Sequence, residues 1–497
     1  MSLVKNITTV GGWTLIHRAS SIVRDKIQSH ILGASIYADA FSAAFKLANI
    51  LRKLFAEGSF NASFLPVFAA TLNSKGKEEA TKLASQVMTW LFFVLSFLLI
   101  ISLIGFRSIM AIYLNGDVPG SPRFEEAVSL GRICFPYFVA SFFAALFGGI
   151  LNAINKYALP AAVHVLLNLF LIIALFIGAL WFPSEAYTMA WATCFGGIIQ
   201  SGIMYFNLRK HGINLRLDFS STMPEVKRIF KKMFSGVMGA GVWQINITIG
   251  AMMASYLPAG CMSYLNYVDH LNQFPLAILG IAFSTALLPP LTKAIKNKEF
   301  AQANKQLNLG FLFALTYTLP ASALLVSLHF GITNMIYGSG SFSLQNVMLA
   351  SPALAAFAIG LPSYMATKIF STSFFAAQDT RTPFIGSLIA ISTSTALMFL
   401  LMPILGHVGI ALAVSSASWL NAIYLFMVMN AQKHQSISAE TWITCLKLLF
   451  ATMLIYLVLA YFQTPYTIVN ILIGIVTFYI TARFSGALNF LAELKKH

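Results

Sequence analysis

The chain has 497 residues, of which 58% are hydrophobic and only 10% are charged, and its net charge is +16. Soluble domains of average composition carry about 25% charged residues, so this chain has too few polar side chains to cover a water-facing surface. The composition excludes a soluble enzyme, an ordinary nucleic-acid-binding protein and a disordered chain, and it favours an integral membrane protein with many spans.

Apolar runs alternate with short polar breaks and predict an all-α, polytopic fold with about fourteen transmembrane helices. A helix needs roughly 20 apolar residues to cross a bilayer, and the alternating segments of a membrane β-barrel are not seen in the sequence. The first, second and eighth spans carry charges and are the least hydrophobic. The predicted spans are 5–31, 34–56, 79–106, 126–153, 159–182, 186–208, 231–256, 261–291, 304–329, 346–377, 383–405, 407–431, 441–463 and 465–489.

Two pairs of prolines indicate that the chain is internally doubled. Pro66 and Pro289 are separated by 223 positions, and so are Pro160 and Pro383. This offset maps spans one to six onto spans seven to twelve and predicts two six-helix lobes related by an approximate parallel repeat, a pattern seen in transporters. The expected domains are an N-terminal lobe (1–210), a basic cytoplasmic linker (211–230), a C-terminal lobe (231–432) and two extra helices (433–497).

Basic residues concentrate in the even-numbered loops. Because cytoplasmic loops are enriched in Lys and Arg, we expect both termini in the cytoplasm and assign most of the positive charge to topology rather than to nucleic acid. The loop after the sixth span holds seven basic residues: Arg209, Lys210, Arg216, Lys227, Arg228, Lys231 and Lys232.

The first span contains basic residues where lipid is expected. Arg18 lies about 20 Å from either end of this helix, too far for its side chain to reach an interface. A charge at mid-bilayer costs roughly 2.5–3.5 kcal/mol, so such a residue indicates a water-filled cavity or a polar ligand. Arg24, with the neighbouring Asp25 and Lys26, lies nearer the outer end, where snorkelling to the interface is an alternative interpretation.

The second span carries Asp39, Lys46 and Lys53 at intervals of seven, which places them on one stripe of a helix. Asn49 lies on the same stripe, and we expect Asp39 to offset part of its positive charge. Near the cytoplasmic end, anchoring at the membrane interface is an equally open interpretation of three residues: Arg52, Lys53 and Glu57.

In the eighth span, Asn266, Asp269, His270 and Gln273 share one face and favour a cavity lining over a single helix–helix contact. In the N-terminal lobe the buried cations outnumber the buried acid, which implies an anionic substrate. Arginine favours forked contact with phosphate, and the apolar surroundings favour a lipid-linked phosphate. A cation-drug antiporter should bury carboxylates instead.

The four cysteines and nine histidines are dispersed without metal-ligand spacing or a catalytic motif. We therefore expect no metal, no cofactor and no enzymatic activity. An integral-membrane enzyme acting on polyprenyl phosphate would require clustered His, Asp or Glu residues.

The stretch DAFSAAFKLANILRKLFAEGSFNASFLPVF at 39–68 resembles the signature of the MurJ/MviN family within the multidrug/oligosaccharidyl-lipid/polysaccharide exporter superfamily. Similar stretches lie near 135–161 and at 267–289. The resemblance implies a monomeric flippase of the bacterial inner membrane that moves lipid II, an undecaprenyl-diphosphate-linked peptidoglycan precursor, to the outer leaflet by alternating access. A flippase for another polyprenyl-diphosphate-linked oligosaccharide and a multidrug antiporter are the alternatives.

The resemblance also implies which residues bind the substrate. Arginines are expected to hold the diphosphate, and the last two helices the lipid tail. The family usually has Arg and an acid where this chain has His270 and Gln273, and Phe374 and Gln378 stand where sodium ligands are expected, so we expect no bound sodium. The candidate substrate-binding residues are Arg18, Arg24, Asp39, Lys46, Asn49, Arg52, Glu57, Asp269, His270 and Gln273.

Overall fold

The computed structural model describes residues 3–178, 182, 184–220, 223–286, 288–431 and 436–491, with side chains except at 3–8, 56–59, 234–243, 278–286 and 288–289. No strand occurs among these residues, and each predicted span overlaps one or more described helices, so the all-α prediction is confirmed. The helices are α1 (Leu3–Leu32), α2 (Ile36–Leu51), a π-helix (Arg52–Phe60), α3 (Asn61–Ile104), α4 (Phe106–Tyr113), α5 (Pro122–Cys134), α6 (Pro136–Ala153), α7 (Ala158–Ile177), α8 (Glu185–Lys210), α9 (Pro224–Ser255), α10 (Cys261–Ala286), α11 (Leu288–Lys296), α12 (Phe300–Ser327), α13 (His329–Tyr337), α14 (Leu344–Ala358), α15 (Leu361–Ala376), α16 (Arg381–Leu405), α17 (His407–Ala431), α18 (Ala439–Tyr461) and α19 (Thr467–Phe484).

Among the described residues, nine helical stretches are long and apolar enough to cross a membrane. They are α3, α5 with α6, α7, α12, α14 with α15, and α16 to α19. The spans predicted to be least hydrophobic correspond to α1, α2 and α10, which fall outside this group. A polar helix does not remain in lipid by its own hydrophobicity, so these three must be held by packing against protein.

The chain forms two compact units, Met1–Ser263 and Tyr264–His497. The first contains α1 to α9, and the second contains most of α10 and all helices from α11 to α19. The linker and lobe boundaries proposed from the sequence stay predictions.

The internal repeat is visible in the helix boundaries. The ends of α3 and α12 are separated by 223 positions, and so are the ends of α6 and α15. Asn155 (φ 61°) and Gln378 (φ 62°), again at this offset, follow α6 and α15 in the left-handed conformation that commonly ends helices. The repeat predicted from two proline pairs is therefore confirmed.

Small residues on α8 allow it to lie close to α6. A Cβ atom on Gly197 would lie 2.6 Å from the ring of Tyr137, a buried side chain of α6. One turn later, the hydroxyl of Ser201 donates a hydrogen bond to the carbonyl of Ala140 at 2.6 Å. Close approach of this kind, through small side chains and an interhelical hydrogen bond, is how membrane helices pack without a hydrophobic driving force between them.

Two glycines of α8 give a matched test of this packing. Gly197→Ala should lower the melting temperature of the detergent-purified protein, because the added methyl group overlaps Tyr137 and overpacking costs about 1–3 kcal/mol. A Cβ on Gly202 meets nothing within 4 Å, so Gly202→Ala should leave the melting temperature unchanged or raise it, since Ala is the better helix former. Equal shifts for both variants would contradict close packing of α6 and α8.

Candidate functional site

A polar cluster joins α1 to α7 in the first unit. The amide of Asn168 on α7 donates hydrogen bonds to the hydroxyls of Ser20 and Ser21, at 2.8 and 3.1 Å, and lies 3.2 Å from Nδ1 of His17. One turn earlier on α7, His164 faces the ring of His17 with 5.7 Å between centroids. We call these five residues the α1–α7 polar cluster; it holds the middle of α1 against its neighbour.

Arg24 is tied into this cluster and points inward. Its Nη2 and Nε donate to Oδ1 of Asp25 at 2.6 and 3.0 Å, and its Nη1 donates to Oδ1 of Asn168 at 3.0 Å. Arg24 is only 8% exposed. The alternative that Arg24 snorkels to the interface is therefore wrong, and Asp25 balances its charge in this structure.

Three predicted arginines converge from two elements. Arg18 on α1 and Arg52 at the start of the π-helix are both partly exposed, and Nε of Arg52 donates to Oδ1 of Asn49 at 2.7 Å. The charges of Arg18, Arg24 and Arg52 all act electrostatically on the imidazole of His17. The structure therefore brings these guanidinium groups into one region of the first unit, and Asn49 orients one of them.

The π-helix Arg52–Phe60 is an uncommon feature at this position. Nine residues follow this widened geometry directly after α2. Such segments are rare in proteins and occur frequently at functional sites, because they change the direction in which side chains leave the helix. Lys46, on α2 before it, is partly exposed. The side chain of Glu57, another candidate, lies outside the described residues.

Asp39 has a set of partners different from those described for Arg24 and Arg52. Its carboxylate is fully buried and accepts hydrogen bonds from the backbone amides of Gly260 and Ser263, at 2.7 and 2.8 Å, and from the Ser263 hydroxyl at 2.6 Å. Nη1 of Arg123 is 3.6 Å away. These groups contact both of its oxygens, and the expectation that Asp39 offsets part of the positive charge on α2 stays a prediction.

Arg123 extends this network. It donates to the Asp117 carboxylate at 2.6 Å and to the carbonyls of Ser255 and Leu257 at 2.6 and 2.9 Å. We call Asp39, Asp117, Arg123, Gly260 and Ser263 the Asp39–Arg123 cluster. It fastens the start of α2 and the loop before α5 to the turn that follows α9. No local pattern predicts it, because its members are far apart in the sequence.

In the second unit, α10 carries the predicted polar face. Nε2 of Gln273 donates to Oδ2 of Asp269 at 2.6 Å, one helical turn apart, and His270 is partly exposed. Gln273 thus serves as a hydrogen-bond donor to the retained acid.

Lys368 is an exposed residue in the middle of α15 that the sequence analysis did not select. The signal that could have found it is a single charge within an apolar run.

Residues on α18 expose a wide apolar stripe at helical spacing. Its members are Leu446, Phe450, Met453 and Leu457, all exposed. This stripe is chemically suited to lipid chains, in agreement with the role expected for the last two helices, which stays a prediction.

Comparison with known proteins gives one consistent family. The profile described as "Lipid II flippase MurJ" matches residues 28–477. A probable lipid II flippase MurJ of Rhizobium tropici is 34% identical over 439 residues, which cover 87% of this chain and 82% of the relative. Lipid II flippase MurJ of Burkholderia cenocepacia is 32% identical over 434 residues, covering 86% and 84%.

Solved structures share the fold. The structure of "Lipid II flippase MurJ, inward closed conformation" matches with a TM-score of 0.84 and 24% identity, covering 96% of this chain and 99% of that one. An outward-facing multidrug resistance MATE family transporter matches with a TM-score of 0.61 and 14% identity, covering 86% and 95%. At these identities the likeness concerns the fold.

The Asp39–Arg123 cluster predicts a large effect of an isosteric change. Asp39→Asn should lower the melting temperature by several degrees, because an amide group cannot accept from both Gly260 and Ser263 and leaves Arg123 less neutralised; breaking a buried ion pair costs about 3–5 kcal/mol. Glu125→Gln is the control: Glu125 pairs with Arg107 at 2.6 Å on an exposed surface, where ion pairs contribute about 0–1 kcal/mol. A wild-type melting temperature for Asp39→Asn would contradict the structural role of the cluster.

Proposed function

Since the chain belongs to the MurJ family of lipid II flippases, we propose that it moves lipid II from the cytoplasmic to the outer leaflet of the bacterial inner membrane by alternating access. The protein acts as a transporter: it moves the diphosphate-linked lipid and breaks no bond in it. The single observation that carries the assignment of the site is that Arg18, Arg24 and Arg52 lie near enough to one another to act electrostatically on the same imidazole, that of His17, in a chain that is 58% hydrophobic.

The three arginines differ in how they meet a diphosphate. Arg18 and Arg52 are partly exposed, and their guanidinium groups are proposed to contact the incoming anion. Arg24 is held by Asp25 and Asn168, so the diphosphate competes with the Asp25 carboxylate for its N–H groups. Charge-assisted bonds from arginine to phosphate are short and frequently bidentate, which suits an anion with several equivalent oxygens.

The apolar surroundings favour a lipid-linked anion over a free one. A free diphosphate would lose its hydration shell on entering a helix bundle. A lipid-linked diphosphate also has a polyprenyl chain, which stays in contact with hydrocarbon. The exposed stripe of α18, with α19 beside it, is the proposed contact for that chain. Lys46 and Asn49 on α2 and Asp269, His270 and Gln273 on α10 are proposed to contact the remaining polar head group.

Topology and driving force complete the proposal. Both termini are placed in the cytoplasm by the loop charges, and the protein works as a monomer without a nucleic-acid partner. Membrane potential acts on charge at about 2.3 kcal/mol per elementary charge per 100 mV, so moving charged groups or substrate through the field supplies directionality without a bound sodium ion. Another polyprenyl-diphosphate-linked oligosaccharide is the alternative substrate, since it presents the same diphosphate.

Removing the arginines tests the site. The triple variant Arg18→Ala, Arg24→Ala, Arg52→Ala should insert into the membrane but fail to rescue a flippase-depleted bacterium, because the diphosphate loses its charge-assisted bonds. Each hydrogen bond to a charged group contributes about 1.5–3 kcal/mol, so each single variant should weaken lipid II binding by roughly tenfold or more. Arg228→Ala, an exposed arginine at the start of α9, is the control and should behave as wild type. Full rescue by the triple variant would refute the site.

In α10, His270 and Gln273 replace the Arg and the acid expected from the family, and this difference gives a second test. His270→Arg should be tolerated in complementation, because Asp269 remains beside it and neutralises the added charge. Gln273→Ala removes the hydrogen bond that currently occupies Asp269 and should not impair the His270→Arg background. Loss of function in His270→Arg alone would show that this helix requires a neutral ring.

A further inference from the structure

The segment after α8 is fastened along α3 rather than hanging as a flexible connection. The carbonyl of His211 accepts a hydrogen bond from Nζ of Lys77 at 2.7 Å. Farther along, the amide of Arg216 donates to Ser85 at 3.3 Å and the amide of Asp218 to the Thr89 hydroxyl at 2.9 Å. We call residues 211–220 the strap. It runs in the same direction as α3, toward the part of that helix that carries the apolar span.

A groove of about 640 Å³ lies between the strap and α3. Its lining includes three cations, Lys77, Lys82 and Arg216, and two acids, Glu78 and Asp218. Lys82 and Arg216 have exposed side chains. Asp218 is already engaged, because its carboxylate accepts from the amide of Ser220 at 2.8 Å. The groove therefore offers cations to an anionic ligand.

The strap continues from this polar groove onto an apolar ridge. Phe219 is 72% exposed, and its ring lies 5.9 Å from that of Phe93 on α3, itself 49% exposed. Leu217 and Trp90 are exposed beside them. Phe93 and Trp90 lie in or beside the most hydrophobic stretch of α3, whose surface is mostly unburied. Aromatic residues at this level are typical of the membrane–water interface.

We propose that the groove binds the phosphate headgroup of an anionic phospholipid, with an acyl chain of the same molecule lying along the Phe93–Phe219 ridge. Cations next to an exposed apolar ridge match the two ends of a phospholipid, whereas a soluble phosphate would use only the groove. This site is separate from the three arginines and lies within the first unit. Its assignment to the inner leaflet rests on the topology in the proposed function.

The test compares two charge-matched double variants of the full-length protein in a neutral detergent. Lys82→Gln with Arg216→Gln removes two groove cations whose side chains make no hydrogen bond among those described here. Lys227→Gln with Arg228→Gln removes two exposed cations from the start of α9, outside the groove. The melting temperature is measured against added phosphatidylglycerol, phosphatidylcholine and inorganic phosphate.

Phosphatidylglycerol should raise the melting temperature of the wild type and of the Lys227/Arg228 variant equally. For the Lys82/Arg216 variant, the half-saturating concentration should rise roughly tenfold, as expected for two surface cations near an anionic headgroup. Phosphatidylcholine and inorganic phosphate should produce little shift in any of the three proteins. Equal responses of the two double variants would overturn the proposal, and so would a shift by inorganic phosphate as large as that by phosphatidylglycerol.

Two further measurements examine the ridge and the leaflet. Phe219→Ser keeps every groove cation, so weaker binding of phosphatidylglycerol supports the acyl-chain contact and unchanged binding overturns it.

Asn214→Cys introduces an exposed thiol, and the four natural cysteines are buried. Labelling by an impermeant maleimide only in inverted vesicles supports the inner-leaflet assignment. Labelling of intact cells from outside overturns it, without affecting lipid binding in detergent or the arginine site.

Discussion

The cost of placing ionised side chains within a bilayer shapes this structure. A charged group removed from water must be neutralised and hydrogen-bonded, since an uncompensated charge in a low-dielectric medium is strongly destabilising. Asp39 and Arg123 meet this requirement completely with partners inside the protein. Arg18 and Arg52 instead remain partly exposed in a region that already holds the charge of Arg24. This difference separates charges that build the fold from charges that we propose to contact a substrate.

Periodicity and composition predict much of this fold because both reflect local rules. Twenty-residue apolar runs, short polar breaks and a constant offset of 223 positions each follow from the chain alone, and the ends of α3 and α12 and of α6 and α15 repeat at that offset. The same rules place Asp39 and Lys46 on one stripe of α2, but they do not identify the residues of other segments that contact this stripe. Asp39 accepts hydrogen bonds from Gly260 and Ser263, partners that the spacing on α2 could not identify.

The polar residues missed from the sequence illustrate the same limit. Asn168 lies in one of the most apolar helices, where a single amide is easily taken as incidental, yet it contacts the hydroxyls of Ser20 and Ser21 and the guanidinium of Arg24. Ser85 and Thr89 are similar, because they satisfy backbone amides of the strap that no helix or strand satisfies. For these residues the partner is distant in the sequence, so it is found only in three dimensions.

The ion pair between Arg24 and Asp25 bears on how a transporter releases its substrate. A site built only of unpaired arginines would bind a diphosphate tightly, and it would leave several uncompensated charges in hydrocarbon each time the substrate departed. With Asp25 at 2.6 Å, the proposed binding has Arg24 exchange one anionic partner for another, so its free energy is the difference between two strong interactions rather than the whole of one. Such an exchange lowers affinity and keeps the empty site stable, which are the two conditions that repeated transport requires. The pair that competes with the proposed substrate is thus compatible with the proposed function.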